Sequence, residues 1–366
     1  HTRYISVTGV QTCALPISDL NARENFIDTA ERRDSVLKLA RLVSYNPKRN
    51  VSASGLLRIE AVSTTEDLED SNGINLSNIP VSWNDPGNDN WLEQMSIIIN
   101  AALIDSQVVG KPGNSQEIGG VLTDEYSLNI LQNILPIYSY ETLVNGVSMR
   151  FETVSPTTVN QEYIYEREPR PRSIFNLLYR NDNLGNDSTG TGWFMFFKQG
   201  EIRTLDFTLD QKLPNRVVSV AVDNINNDDV WLYSLDENGA YNELWEKTEN
   251  VNGVNVIYNT STNRNLYQIS TKNNDQIDLV FGDGAFSNIP SGRYRIFYRV
   301  SNGQNYKVAP TEMQNVLIPI TYVSRTSRTE TLNIRASLYY TVNNASARET
   351  LTEIKSKAPQ QYYTQR

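Results

Sequence analysis

Acidic residues are the most obvious candidates for chemistry in this sequence. Asp278 and Asp283 lie on either side of a Leu-Val-Phe-Gly stretch, and two neighbouring carboxylates can serve as an acid–base pair or as cation ligands. The same residues also fit a strand, a tight turn at Gly282, Asp283 and Gly284, and a returning strand, with the glycines supplying positive φ. We expect the structural turn, and we assign no catalytic residue here.

Two further acidic patterns favour structure over chemistry. The run Asp223–Asp229 lacks the Gly and the Glu that a calcium loop of the EF-hand type requires at its sixth and twelfth positions, so we expect an acidic loop. Asp206 and Asp210 are four residues apart, but Phe207 and Leu209 indicate a strand. We therefore expect no metal and no cofactor.

Histidine and cysteine chemistry depends on one unusual segment, residues 1–18, which contains the only His (His1) and the only Cys (Cys13). Its run Val7–Ile17 resembles the conceptual translation of a sequencing adaptor, and we expect 1–18 to be an artefact. The alternative is a signal peptide, although the segment lacks a continuous apolar region. Without it the net charge changes from −9 to −10, because its one charged residue is Arg3. Ser-His-Asp triads, Cys nucleophiles and typical zinc sites are then excluded.

Composition narrows the class of protein. The 366 residues suggest two or three domains, and 39% hydrophobic with 20% charged residues is enough apolar material for a packed core. A net charge of −9 repels phosphate backbones and anionic lipids. No stretch approaches the roughly 18 apolar residues of a membrane span. We therefore expect no nucleic acid and no membrane as a partner, and because the sequence has no obvious active site we also expect no small-molecule substrate.

The first element is a helix predicted over Asp19–Ser44 and ended by Tyr45-Asn46-Pro47. Apolar residues lie on two opposite sides of it, so it needs two neighbours. One alternative is burial within its own domain, and the other is a helix bundle shared with a partner chain. The candidate interface residues are Phe26, Ala30, Leu37 and Ala40 on one face and Leu39 and Leu42 on the other.

The pattern of the remaining chain predicts an α+β protein, with mostly antiparallel β domains and three helices. A second helix is expected over Trp91–Ile104, between a polar loop at 63–90 and a Gly-rich connection at 105–120. A third is expected at 346–358, starting with a capping box of Ser346 and Glu349 and ended by Pro359. Strands are expected at 51–62, at 193–198, at 217–222 as a buried strand, and at 293–300 and 332–342 as half-buried strands.

These elements suggest a linear order of parts. An N-terminal helix (19–50) would act as a bundle or interface. An α+β domain (51–170) and one or more β-rich domains (171–345) would follow it. Residues 346–366 would form a helix and the start of a region truncated at its C-terminal side.

Short motifs in a consistent order carry a resemblance to a known family. The chain resembles the large baseplate wedge subunit of T-even type contractile-tailed bacteriophages, especially those of cyanophages, and more distantly the baseplate J-like proteins. The matching stretches are Asp28–Ala30, Ser44–Pro47, Asp70–Gly73, Trp83–Pro86, Leu177–Asn183, Phe197–Gly200, Asp223–Asn227, Val230–Leu232, Phe281–Gly284 and Lys357–Gln360.

The resemblance implies a structural protein of the virion tail that is assembled in the bacterial host cytoplasm. Its partners would be a second copy of itself and other wedge proteins, and the ring of wedges would rearrange when the tail contracts. Two alternatives remain open. One is a carbohydrate-binding or carbohydrate-cleaving tail protein, with Trp and Tyr platforms and paired carboxylates. The other is a bacterial surface adhesin, for which the sequence offers neither repeats nor a clear secretion signal.

Overall fold

The computed structural model describes residues 22–85, 87–102, 114–128, 138–160, 163–170, 175–251 and 263–364. The proposed artefact at 1–18 and the chain end at 365–366 lie outside these ranges. Within them the chain is mainly β, and it forms three α-helices: α1 (Arg33–Leu42), α2 (Trp91–Ala102) and α3 (Leu351–Thr364). The α+β class with mostly antiparallel sheets is therefore confirmed. No helix in this part of the chain is long and apolar enough to cross a membrane.

The chain folds into two compact units, and each unit is assembled from separated stretches. The first unit takes the described parts of His1–Val51, Thr204–Tyr298 and Ala347–Arg366, and the second takes Ser52–Arg203 and Arg299–Ser346. This grouping differs from the linear division at 51–170 and 171–345, because strands far apart in sequence pair with each other.

The second unit is built on a nine-stranded sheet. Its strands follow the order β17-β18-β1-β9-β8-β3-β2, with β5 also paired to β9 and to β4, while β6 and β7 form a separate pair. The central strand β1 pairs antiparallel with β9 through its first half and with β18 through its second half. The bounds are β1 (Ser54–Thr64), β2 (Asn114–Ile118), β3 (Val121–Leu128), β4 (Tyr138–Val144), β5 (Val147–Val154), β6 (Pro156–Asn160), β7 (Tyr163–Glu166), β8 (Phe175–Asn181), β9 (Gly192–Gln199), β17 (Val316–Val323) and β18 (Thr329–Ser337).

Helix α2 covers one face of this sheet. Met95, Ile98 and Ile99 recur at helical spacing, and all are buried in the largest apolar cluster of the unit. The Trp83 indole lies in the same cluster and donates its N–H to the Ile59 carbonyl oxygen (3.0 Å). Gly192 has φ +136°, and the Trp83 ring occupies the space that a Cβ there would need. The sheet can therefore accept this tryptophan only beside a glycine.

The first unit contains a seven-stranded sheet in the order β10-β16-β12-β13-β14-β15-β11, and β13 with β14 is a parallel pair. Beside it α1 and α3 pack on each other, because the buried Leu37 and Ala40 of α1 meet Ile354 and Ala358 of α3. The bounds are β10 (Glu201–Leu209), β11 (Val217–Val220), β12 (Ile225–Leu235), β13 (Tyr241–Thr248), β14 (Leu266–Thr271), β15 (Ile277–Phe281) and β16 (Gly292–Val300).

The expectation of one continuous N-terminal helix over 19–44 is wrong for the described residues. Residues 22 and 23 are helical, the chain then leaves the helix, and regular helix resumes at Arg33. The Glu24 carboxylate accepts hydrogen bonds from the backbone N–H groups of Glu31 (2.9 Å) and Arg32 (3.2 Å). These side-chain bonds satisfy the donors at the start of α1 and favour a turn over a continuous helix. A hydrogen bond with Ser35 lowers the pKa of Glu24 the most, and the bonds from the backbone of residues 31 and 32 lower it further.

Both predicted ends of the C-terminal helix are wrong. The helix begins at Leu351, and a capping box is formed by Thr350 and Glu353, in which Glu353 N–H donates to Thr350 Oγ1 (3.3 Å) and Thr350 N–H to Glu353 Oε2 (2.7 Å). Glu349 is buried and bonded elsewhere, so it cannot close a box with Ser346. The helix also continues through Pro359 to Thr364.

Two predicted strands and one predicted connection are corrected. Val217–Val220 is an edge strand, with Val217 exposed, and not a buried strand. The strand expected over 332–342 ends at Ser337. The connection expected at 105–120 contains β2, although 105–113 lie outside the described residues. Helix α2 confirms the prediction at 91–104 as far as Ala102, the last residue described there.

The two acidic motifs also lie in different surroundings from those expected. Much of the predicted loop at 223–229 belongs to β12, which begins at Ile225. The strands before and after Gly282–Gly284 do not pair with each other, since three strands separate β15 from β16 in the sheet. Gly284 has the expected positive φ, at +95°. The motif is thus part of a crossover connection and not of a hairpin.

Candidate functional site

The carboxylates of the Gly282–Gly284 motif have structural partners. Asp278 accepts a hydrogen bond from Ser219 Oγ (2.5 Å) on the neighbouring strand and forms an ion pair with Lys272 (3.3 Å). Asp283 accepts from the N–H of Ala285 (2.9 Å), as Asp residues in turns commonly do. Nowhere in the described ranges do three or more His, Cys, Asp or Glu residues come together as a metal site would require.

A polar groove in the first unit is the best place to look for carbohydrate chemistry. It has a volume of about 600 Å³, and its described lining includes Trp245, Tyr294, Arg264 and Glu243. Trp245 is only 5% exposed, because its ring packs edge-on against Phe281 and Tyr294, so it offers no open platform to a sugar. Glu243 is the one carboxylate among the described lining residues, whereas glycosidic cleavage needs two.

The second unit contains a buried cluster of four charged side chains. Arg299 has no exposed surface, and it donates to Glu152 Oε2 (2.6 Å) and to Glu166 Oε1 (2.7 Å). Lys198 lies 3.8 Å from the other oxygen of Glu166. The two positive and two negative charges balance, so no net charge is buried. Such ion pairs are strongly coupled, because removing one partner leaves another charge unpaired away from water.

This charge cluster joins separate strands of the chain. Glu152 lies on β5, Glu166 on β7, Lys198 on β9 and Arg299 at the end of β16. Glu152 also accepts a hydrogen bond from the N–H of Ile202 (3.1 Å). The cluster therefore joins parts of the second unit that are far apart in sequence, which is a structural role.

Glu349 has an equivalent role in the first unit. Its carboxylate accepts hydrogen bonds from Tyr45 Oη (2.8 Å) and from the Lys48 N–H (3.1 Å), and it pairs with Lys357 Nζ (2.6 Å). Burial, together with the hydrogen bond to Glu349, raises the pKa of Tyr45. The segment before α3 is thereby fixed to the segment that follows α1.

The candidate interface residues divide into two groups. Ala30, Leu37 and Ala40 are buried, and they pack in one cluster with α3 of the same chain. Leu39 is half-buried against the same cluster. Phe26 and Leu42 are 68% and 81% exposed. One face of α1 is thus buried within its own unit, as the first of the two alternatives predicted. Contact with a partner chain stays a prediction for the exposed Phe26 and Leu42.

Sequence reasoning did not identify Glu152, Glu166 or Arg299 as important residues, and it gave Glu349 a different role, in a capping box with Ser346. The half-buried strand predicted at 293–300 implies that Arg299 faces water, because Arg293, Arg295 and Arg299 alternate with apolar residues along it. The useful signal was Phe297, which lies between Arg295 and Arg299 on that face and is 6% exposed. An aromatic residue within the polar side of a strand indicates that this side becomes covered toward the strand end.

Comparison with known families gives one match. The model of a family described as Domain of unknown function (DUF8360) matches residues 55–341. No curated protein matches the chain.

Proposed function

We propose that this chain, which belongs to the DUF8360 family, is a structural component of the tail baseplate wedge of a contractile-tailed bacteriophage. In this role it connects wedges around the central hub and rearranges when the tail contracts. Its place is the virion tail baseplate, and its assembly takes place in the bacterial host cytoplasm. Its partners are a second copy of the chain and other wedge proteins.

The observation that carries the proposal is the ordered resemblance to the large wedge subunit. The matching stretches begin at Asp28 and end at Gln360. They occur in both compact units, for example at Ser44–Pro47 in the first and at Leu177–Asn183 in the second. A chance likeness in one loop would not extend over both.

Among the described residues, buried charged side chains pair with groups of the same chain, and this supports an architectural role. Arg299 bonds to both Glu152 and Glu166 in the interior, and Glu349 bonds to the segment after α1. Buried polar contacts of this kind specify one arrangement of the chain more than they add net stability. A protein that must transmit a rearrangement benefits from units that keep their own shape.

The proposal is tested at the exposed side chains of the N-terminal segment. Leu42 is 81% exposed, and Leu184 in the second unit is almost equally exposed at 79%. Leu42→Ser should weaken self-association or binding to co-expressed tail proteins from the neighbouring genes, because an apolar contact would be lost. Leu184→Ser is the matched control and should leave assembly unchanged. Size-exclusion chromatography with light scattering measures both.

Two results would contradict the baseplate proposal. One is a chain that stays monomeric and binds none of the neighbouring gene products at any concentration. The other is a genomic neighbourhood that encodes secreted hydrolases or surface proteins in place of tail tube, sheath and wedge proteins. The first result would contradict the assembly role, and the second would favour the carbohydrate-active or adhesin alternatives.

A further inference from the structure

A cavity of about 320 Å³ in the first unit collects positive charge on an otherwise acidic chain. Its lining includes three cationic residues, Lys48, Arg49 and Lys247, and one acidic residue, Glu249. The cations come from two separate parts of the chain, since Lys48 and Arg49 follow α1 and Lys247 lies near the end of β13. The tertiary structure therefore brings these charges together around one space.

Arg49 is held rigidly in the wall of this cavity. It is 2% exposed. Its Nη1 donates to Thr271 Oγ1 (3.2 Å) and its Nη2 to the carbonyl oxygens of Asn226 (3.1 Å) and Asn227 (2.9 Å). Its Nε is buried and has no hydrogen-bond partner among the described residues. The guanidinium group therefore places a fixed positive charge in the wall of the cavity, and this charge attracts an anion there.

Lys247 adds a second charge close to Arg49. Loss of hydration, together with the positive charge of Arg49, lowers the pKa of Lys247, while Asp228 and Asp229 oppose this shift. In the described part of the chain the Lys247 ammonium forms no ion pair within 4.0 Å. Two like charges near each other repel, and a negative group between them would relieve the repulsion.

We propose that this cavity binds a compact oxyanion, either phosphate or a carboxylate, with Lys48, Arg49 and Lys247 as the binding residues. The ligand must be compact, because Glu249 lies in the lining and the chain carries a net charge of −9. An extended polyanion such as nucleic acid would be repelled. The inference does not depend on the baseplate proposal.

Calorimetric titration of the full chain at low ionic strength tests the proposal, with inorganic phosphate in one arm and N-acetylglutamate in the other. Lys247→Gln removes one binding charge from a side chain that is partly open to solvent and keeps a polar group of similar size, so folding should be preserved. Lys212→Gln is the matched control, because Lys212 is an exposed lysine of the same unit that does not line this cavity. We expect saturable binding of at least one anion, weakened about tenfold by Lys247→Gln and unchanged by Lys212→Gln, as one lost charge-assisted contact predicts.

The two arms also separate the sources of the anion. Binding of phosphate alone indicates a free or ligand-borne phosphate, and binding of N-acetylglutamate alone indicates an acidic side chain of a partner protein. The proposal is overturned if neither anion binds saturably, or if Lys212→Gln weakens binding as much as Lys247→Gln. Lys48→Gln, at another exposed lining residue, provides a second variant and should also weaken binding.

Discussion

At the scale of single residues, burial determines what a charged side chain does. Arg293 and Arg299 lie on the same strand, yet Arg293 is exposed and Arg299 has no exposed surface. Water solvates the first, whereas the second depends on Glu152 and Glu166 for its hydrogen bonds. Residues of one type on one strand therefore differ greatly in their importance for stability.

The first prediction compares these two arginines. Arg299→Met should lower the free energy of unfolding by about 3–5 kcal/mol, because it leaves the buried carboxylates without their main cation. Arg293→Met should change it by less than about 0.5 kcal/mol, as exposed substitutions usually do. Urea denaturation followed by tryptophan fluorescence measures both. Equal losses in the two variants would show that the buried ion pairs do not determine stability.

At the scale of elements, side-chain bonds determine where the helices begin. Before α1, the Glu24 carboxylate accepts hydrogen bonds from the backbone N–H groups of residues 31 and 32. At α3, Thr350 and Glu353 form the N-terminal cap. The sequence offers a second box at Ser346 and Glu349. Glu349 is committed to Tyr45 and Lys48, so the helix starts one turn later.

The second prediction tests this choice of cap. Thr350→Ala should destabilise the first unit by about 1 kcal/mol, because a helix N–H loses its acceptor. Ser346→Ala should have little effect, since Ser346 is exposed and lies outside the helix. The urea midpoint, followed by far-UV circular dichroism, distinguishes the two variants. A larger loss for Ser346→Ala would restore the capping box that the sequence suggested.

At the scale of the whole molecule, the units are not continuous in sequence. The central strand β1 needs β18 on one side and β9 on the other, and Ile318, Leu332 and Ile334 complete the cluster under α2. The second unit therefore requires both Ser52–Arg203 and Arg299–Ser346.

The third prediction follows from this interleaved arrangement. A chain of residues 52–203 alone should show no cooperative unfolding transition, because it lacks β17, β18 and Arg299. A chain of residues 52–346 contains both parts and should retain the transition. Near-UV circular dichroism of Trp83 and Trp193, both buried, reports the packing of the core. A cooperative transition in the shorter chain would show that 52–203 is a folding unit by itself.

The sequence by itself determined the features that depend on local pattern. Apolar residues at helical spacing predicted α2, the aromatic run at 193–198 predicted β9, and the mixture of both patterns predicted the α+β class. It also showed that the only His and the only Cys lie within residues 1–18, which bounds the chemistry of the remaining chain. These conclusions hold because a helix or strand buries one face wherever it packs.

Only the tertiary structure decided the order of the strands, the residues at which the helices begin and which charged side chains are buried or brought together. Strand order depends on pairings such as β1 with β18, which join residues far apart in sequence. The burial of Arg299 and the gathering of Lys48, Arg49 and Lys247 around one cavity likewise need distant segments in place. The physical reason is that the energy of a charge is determined by its surroundings in space, and neighbours in sequence specify those surroundings only in part.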